Sequence, residues 1–114
     1  MDATAAITEL VGVSTEVVEA VVTGPSGEIE AARTSSEARA RELADAGAEL
    51  LIRAADIRAG EPIERVQVDL ARGSLVACTD GIRAIVATTV AEPTVGLVAY
   101  DLRAALARVR GDAA

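Results

Sequence analysis

The chain has 114 residues, 51% of them hydrophobic and 25% charged, with 18 acidic against 11 basic side chains and a formal net charge of −7. It contains no His, Trp or Phe and a single Cys, which excludes His-dependent dyads and triads, Cys/His zinc sites and an internal disulfide. Every basic residue is an Arg, so Schiff-base and P-loop lysine chemistry are excluded as well.

The arginines are scattered singly from Arg33 to Arg110, with no run denser than Arg39-Ala-Arg41 or Arg108-Val-Arg110. Nucleic-acid binding needs a concentrated basic footprint and favours aromatic stacking platforms, and an anionic membrane would repel an acidic chain. No nucleic-acid partner and no membrane insertion are therefore expected. Met1-Asp2-Ala3-Thr4 lacks the basic region of a signal peptide. No uncharged stretch exceeds that between Arg83 and Glu92, well short of the roughly 20 residues of a membrane helix. One cytoplasmic domain over residues 1–114 is expected, without metal, cofactor or catalytic residues.

The first predicted element is a short helix from Ala3 to Val11, with Ile7, Leu10 and Val11 at helical spacing and Gly12 as its stop. Val17 to Thr23 is rich in β-branched residues and reads as a strand. Gly24-Pro25-Ser26-Gly27 is a turn; it has neither the lysine nor the following helix of a phosphate loop. Ile29 to Arg33 completes a hairpin. Thr34 and Glu37 have capping-box spacing and open a long helix from Ser35 to about Ala59, stopped by Gly60 and Pro62. Three strands follow. Ile63 to Leu70 alternates, with Val66, Val68 and Leu70 on one face and Arg65, Gln67 and Asp69 on the other. Leu75 to Thr79 comes after the Arg72-Gly73 turn. Ile82 to Val90 comes after Asp80-Gly81 and is apolar or hydroxylic on both faces, as a central strand should be. The last helix runs from Thr94 to Arg110 on a stripe of Val95, Val98, Leu102, Ala105, Leu106 and Val109; Gly111 and a small tail end it.

The long helix carries most information. Glu42, Asp45, Glu49, Arg53 and Asp56 fall on one narrow arc, while apolar residues cover about half the circumference. A helix lying on one sheet needs a stripe only a little over ~100° wide. Ala40, Leu43, Gly47, Leu50, Ala54 and Ile57 also fit the spacing of a helix–helix seam. The helix is therefore expected to pack on its own sheet and on a second copy, with small residues such as Gly47 allowing close approach. Cys78 reads as a buried small hydrophobe, the acidic pairs of the helix as solvated surface, and Tyr100 as a packing residue on the inward edge of the last helix.

The hairpin Val17-Val-Glu-Ala-Val-Val-Thr-Gly-Pro-Ser-Gly-Glu-Ile29, the strand-turn-strand Val66-Gln-Val-Asp-Leu-Ala-Arg-Gly-Ser-Leu-Val76 and the stretch Thr94-Val-Gly-Leu-Val-Ala-Tyr-Asp-Leu-Arg103 occur in an order that resembles the bacterial branch of the roadblock/dynein light chain superfamily. The resemblance spans Ile7 to Val109. It implies a three-layer α/β/α sandwich of the roadblock/profilin-like kind: a five-stranded antiparallel sheet of order 2-1-5-4-3, the long helix on one face and the terminal helices on the other. It also implies a homodimer joined by the third strand and the long helices, and a non-catalytic role beside a small Ras-like GTPase, as in bacterial gliding-motility regulators and actinobacterial operons. On this basis the dimer interface is expected at Leu43, Gly47, Leu50, Ala54, Arg65, Val66, Gln67, Val68 and Asp69. The GTPase-binding face is expected at Arg39, Glu42, Asp45, Glu49 and Arg53. A small-molecule-sensing or other protein-interaction module is the alternative, and the shortage of aromatic side chains argues against a ligand pocket.

Overall fold

A computed structural model describes residues 1–113 of the chain. Its elements are α1 (Ala3–Val13), β1 (Val17–Thr23), β2 (Ile29–Arg33), α2 (Glu37–Ala55), β3 (Arg65–Leu70), β4 (Gly73–Thr79), β5 (Ala84–Thr89) and α3 (Val95–Ala113). The strands form one antiparallel sheet of order β2-β1-β5-β4-β3. α1 and α3 cover one face of it and α2 the other. The three layers and the strand order are those expected from the sequence.

β1 and β2 have the expected bounds, and the other elements differ at their ends for local reasons. The N-cap of α2 is Ser36, whose Oγ accepts the Arg39 N–H at 3.1 Å. The expected capping box of Thr34 and Glu37 is not formed, because the helix is capped two residues later than it requires; the Thr34 hydroxyl donates to the Ser36 carbonyl at 2.8 Å. α2 ends at Ala55, four residues before the expected stop, and the chain turns through Gly60, whose φ of +86° suits a residue without Cβ. β5 begins late because Asp80 draws the next residues into its turn: Oδ1 accepts the Ile82 and Arg83 N–H groups at 2.9 and 2.8 Å. β3 begins at Arg65 and β4 at Gly73. α1 reaches Val13 and α3 continues through Gly111 to Ala113; residue 114, the end of the expected tail, lies outside the described residues.

The larger core lies between the sheet and the terminal helices. Ile7 and Leu10 of α1 and Val98, Leu102 and Leu106 of α3 pack on Val22, Val76, Cys78 and Ile85. Each such side chain contributes roughly 1.5–3 kcal/mol by leaving water. Cys78 is fully buried as expected, and burial pushes its thiol above the ordinary range. Tyr100 departs from expectation: it is 65% exposed, because at helical spacing it falls opposite Val98 and Leu102. The smaller core, under α2, is built of Ala40, Leu43 and Ala44 against Val21, Ala77 and Val86. A Cβ on Gly47 would overlap the Val86 side chain, so glycine sets how closely α2 approaches the sheet.

Polar contacts fix the orientation of the helices. Arg39 holds Glu19 of β1 through two bonds, Nε to Oε2 at 2.9 Å and Nη2 to Oε1 at 3.0 Å, and Thr88 of β5 donates to the same carboxylate at 2.9 Å. This arrangement ties the first turn of α2 to the sheet, and the Arg39 guanidinium keeps the Glu19 carboxyl below its ordinary value. At the other helix, Glu16 Oε2 accepts the Thr94 N–H at 2.8 Å and so caps the start of α3.

Candidate interaction surface

β3 is an edge strand, hydrogen-bonded to β4 on one side only. Its register pairs Val66 with Ala77, Val68 with Leu75 and Leu70 with Gly73, so these three side chains lie on the α2 face of the sheet. α2 leaves them incompletely covered: Val66 and Val68 are half-buried and Leu70 is 68% exposed. Ile57, just past the end of α2, is 80% exposed. Ala54, Ile57 and Ile63 line a recess of about 290 Å³ beside the start of the strand. A free backbone edge next to uncovered aliphatic side chains is a template for pairing with another chain.

The opposite face of β3 is polar. Gln67 Nε2 and the Ser74 hydroxyl both donate to Asp69 Oδ1 at 2.7 Å. These two bonds hold the Asp69 carboxyl below its ordinary value. Arg65 shares this face and is exposed.

The residues expected on α2 separate into three groups. Glu42, Asp45, Glu49 and Arg53 point to solvent as expected, with Arg41 paired to Asp45 at 3.1 Å and Arg53 to Glu49 at 3.6 Å along the helix. Leu50 and Ala54 are half-buried, and Ala54 lines the recess beside the start of β3. Leu43, Gly47 and Arg39 require correction. Leu43 and Gly47 face the protein's own sheet, where Val86 fills the space a second helix was expected to occupy. Arg39 is drawn onto Glu19, so that its guanidinium is paired within the chain rather than free, although its side chain stays 38% exposed. Periodicity marked a wide apolar arc but could not say which part of it the sheet would take.

Sequence reasoning also passed over Ile52 and Leu70 as interaction residues. Both are large exposed hydrophobics, Ile52 at 66%. For Leu70 the signal was present: it continues the alternation of Val66 and Val68 on a strand that ends a sheet. Among the described residues no group of three or more His, Cys, Asp or Glu side chains is arranged to hold a metal ion. No helix of the described residues is long and apolar enough to cross a membrane.

No family model and no curated protein sequence matches the chain. Solved structures do. A Roadblock/LC7 domain from Streptomyces avermitilis superposes with a TM-score of 0.83 at 21% identity, covering 97% of each chain. The chain has the roadblock fold. MglB of Myxococcus xanthus shares the fold at lower similarity, with a TM-score of 0.69, 14% identity, and coverage of 90% of this chain and 80% of that one. Profilin IA of Acanthamoeba castellanii is more distant, at a TM-score of 0.56 and 18% identity over 92% of this chain and 94% of its own. In the roadblock fold of this chain, β3 is the open edge farthest from the β1–β2 hairpin. α2 presents its charged side on the same face as Val66, Val68 and Leu70.

Proposed function

We propose that the protein is a homodimeric, non-catalytic regulator that binds a small Ras-like GTPase and alters its nucleotide cycle. One observation carries the dimer: the free edge of β3, with Val66, Val68 and Leu70 uncovered beside it and Ile57 exposed at the end of α2. Pairing two β3 strands about a twofold axis would complete both edges and cover both apolar strips. The interface then comprises Arg65, Val66, Gln67, Val68 and Asp69, with Leu50 and Ala54 behind them.

The GTPase site is the outer face of α2, carried by Glu42, Asp45, Glu49 and Arg53. A dimer doubles this face. The sequence resemblance and the fold shared with MglB, described for Thermus thermophilus as a gliding protein, support a regulator of this kind. The regulator acts by positioning the GTPase's own groups. The test is GTP hydrolysis and nucleotide release by small Ras-like GTPases of the same organism, with and without the protein, alongside co-purification. Stable association with a changed rate supports the reading. A full set of such GTPases that neither bind nor change their kinetics contradicts it.

A further inference from the structure

A second concavity lies on the flank of α2 that faces the β4–β5 turn, and it encloses about 910 Å³. Its apolar floor is Leu51, Ile52 and Ala55 of α2 with Pro62 and Ile63 of the segment leading to β3. That segment, residues 61–64, also walls the smaller recess beside the β3 edge. None of the residues that line only the larger groove belongs to the proposed β3 pairing. Ile52, two-thirds exposed, stands in this groove.

The polar lining is mostly acidic. Glu61, Glu64 and Asp80 contribute carboxylates, and Arg103, reaching from α3, is the one cation among the lining residues. Arg58 pairs with Glu61 at 3.0 Å from outside the groove. Asp80 has spent one oxygen on its own turn, and its Oδ2 is buried without a hydrogen-bond partner among the described residues. Oδ2 is sealed from solvent, so Asp80 adds negative charge to the wall but no oxygen that a guest can bond directly.

Small-molecule sites are usually enclosed and lined by aromatic side chains; this groove is open and no aromatic side chain lines it. An open apolar trough with charged rims fits the helix-in-groove mode of recognition, in which anchors at i, i+3 and i+4 enter the trough and flanking charges meet its walls. The wall carboxylates outnumber Arg103, and with the net charge of −7 they favour a basic guest. We propose that this groove docks a basic amphipathic helix of another protein, its aliphatic anchors seated on Leu51, Ile52 and Ile63 and its Arg or Lys side chains against the exposed Glu61 and Glu64. The site is separate from the charged arc of α2 and does not depend on the GTPase assignment.

The experiment uses the intact protein and two fluorescein-labelled helical peptides of about 15 residues, one built of Leu and Lys and one of Leu and Glu with the same leucine spacing. Binding is followed by anisotropy. The Leu/Lys peptide is expected to bind saturably and more weakly as salt rises, and the Leu/Glu peptide not to bind. Ile52→Asp and the double variant Glu61→Lys/Glu64→Lys, all at exposed positions, are each expected to weaken binding by about tenfold or more. Glu42→Lys/Asp45→Lys makes the same change in charge on the outer face of α2 and is expected to change peptide binding less than about twofold. The proposal is overturned if the Leu/Lys peptide does not bind, if both peptides bind alike, or if the α2 double variant weakens binding as much as the groove variants. Circular dichroism checks each fold, and affinities are compared among the groove variants that remain folded. Loss of GTPase binding in Glu42→Lys/Asp45→Lys with peptide binding intact separates the two sites.

Discussion

Gly47 of α2 lies directly on Val86 of β5, so closely that a single added Cβ would overlap the valine methyl. This contact sets the spacing between the second layer and the sheet. Gly47→Leu is therefore expected to destabilise the folded chain itself, by about 1–3 kcal/mol or more through overpacking. Gly47→Ala should cost less in a Val86→Ala background than in the wild type, because the two residues share one space. Denaturant titration of the four proteins measures the coupling; independent, additive effects would contradict the contact.

The pair Arg39–Glu19 gives a dependence on pH with a definite sign. The folded-state pKa of Glu19 is lowered from the ordinary value of 4.5, chiefly by its hydrogen bond from Arg39. The pair therefore contributes stability that is present above pH 4.5 and is lost as pH falls through the lower, folded value. Arg39→Met is expected to cost about 1–2 kcal/mol at neutral pH and progressively less in acid. Equal costs at pH 7 and pH 3, measured by urea unfolding, would show that the side chain acts by packing alone.

Reversal of Glu42, Asp45 and Glu49 together to Lys is expected to leave the fold intact at a cost of about 1–2 kcal/mol, since all three are solvated and the change turns the exposed Arg41–Asp45 and Arg53–Glu49 pairs into like-charge pairs. It should weaken association with the GTPase about tenfold at low salt and less at high salt. Unchanged affinity, read by calorimetry, would move the partner site off this face.

The register of the proposed β3 pairing is also testable. An axis opposite Gln67 places Arg65 across from Asp69 of the second copy, twice. Both internal bonds of Asp69 fall on Oδ1, which leaves Oδ2 for that arginine. Centring on Val66 would instead set Arg65 opposite Gln67. Facing Cα atoms in such a pair are about 4.5–5.5 Å apart, within the range of a disulfide. Gln67→Cys should cross-link rapidly under mild oxidation, while Cys78, buried and with its thiol pushed up, stays inert. Failure to cross-link, with faster cross-linking from Val66→Cys, would contradict the register.

Local signals were legible where they were self-sufficient. β1 and β2 follow from a β-branched run, the Gly24–Gly27 turn and a second short run, and the buried stripe of α3 follows from its spacing. What the sequence concealed depends on partners distant along the chain. Gly47 suits either a second helix or a sheet, and only Val86 decides between them. Arg39 reads as a free surface charge until Glu19 of β1 pairs with it. Thr34 and Ser36 are both acceptable caps, and the backbone geometry at Ser36 selects the latter. Leu70 looked like core by alternation, yet an edge position leaves it in water.

The most direct test of the account is sedimentation equilibrium of the protein alone and with its GTPase. Alone, it is expected at twice the 11.6 kDa of one chain, shifting toward monomer on Val68→Asp/Leu70→Asp. With the GTPase, it is expected to form a complex that contains two copies of the chain and is lost in the same variant. A monomer that binds the GTPase as tightly as the wild type, or a wild-type protein that never exceeds one chain's mass, would contradict it.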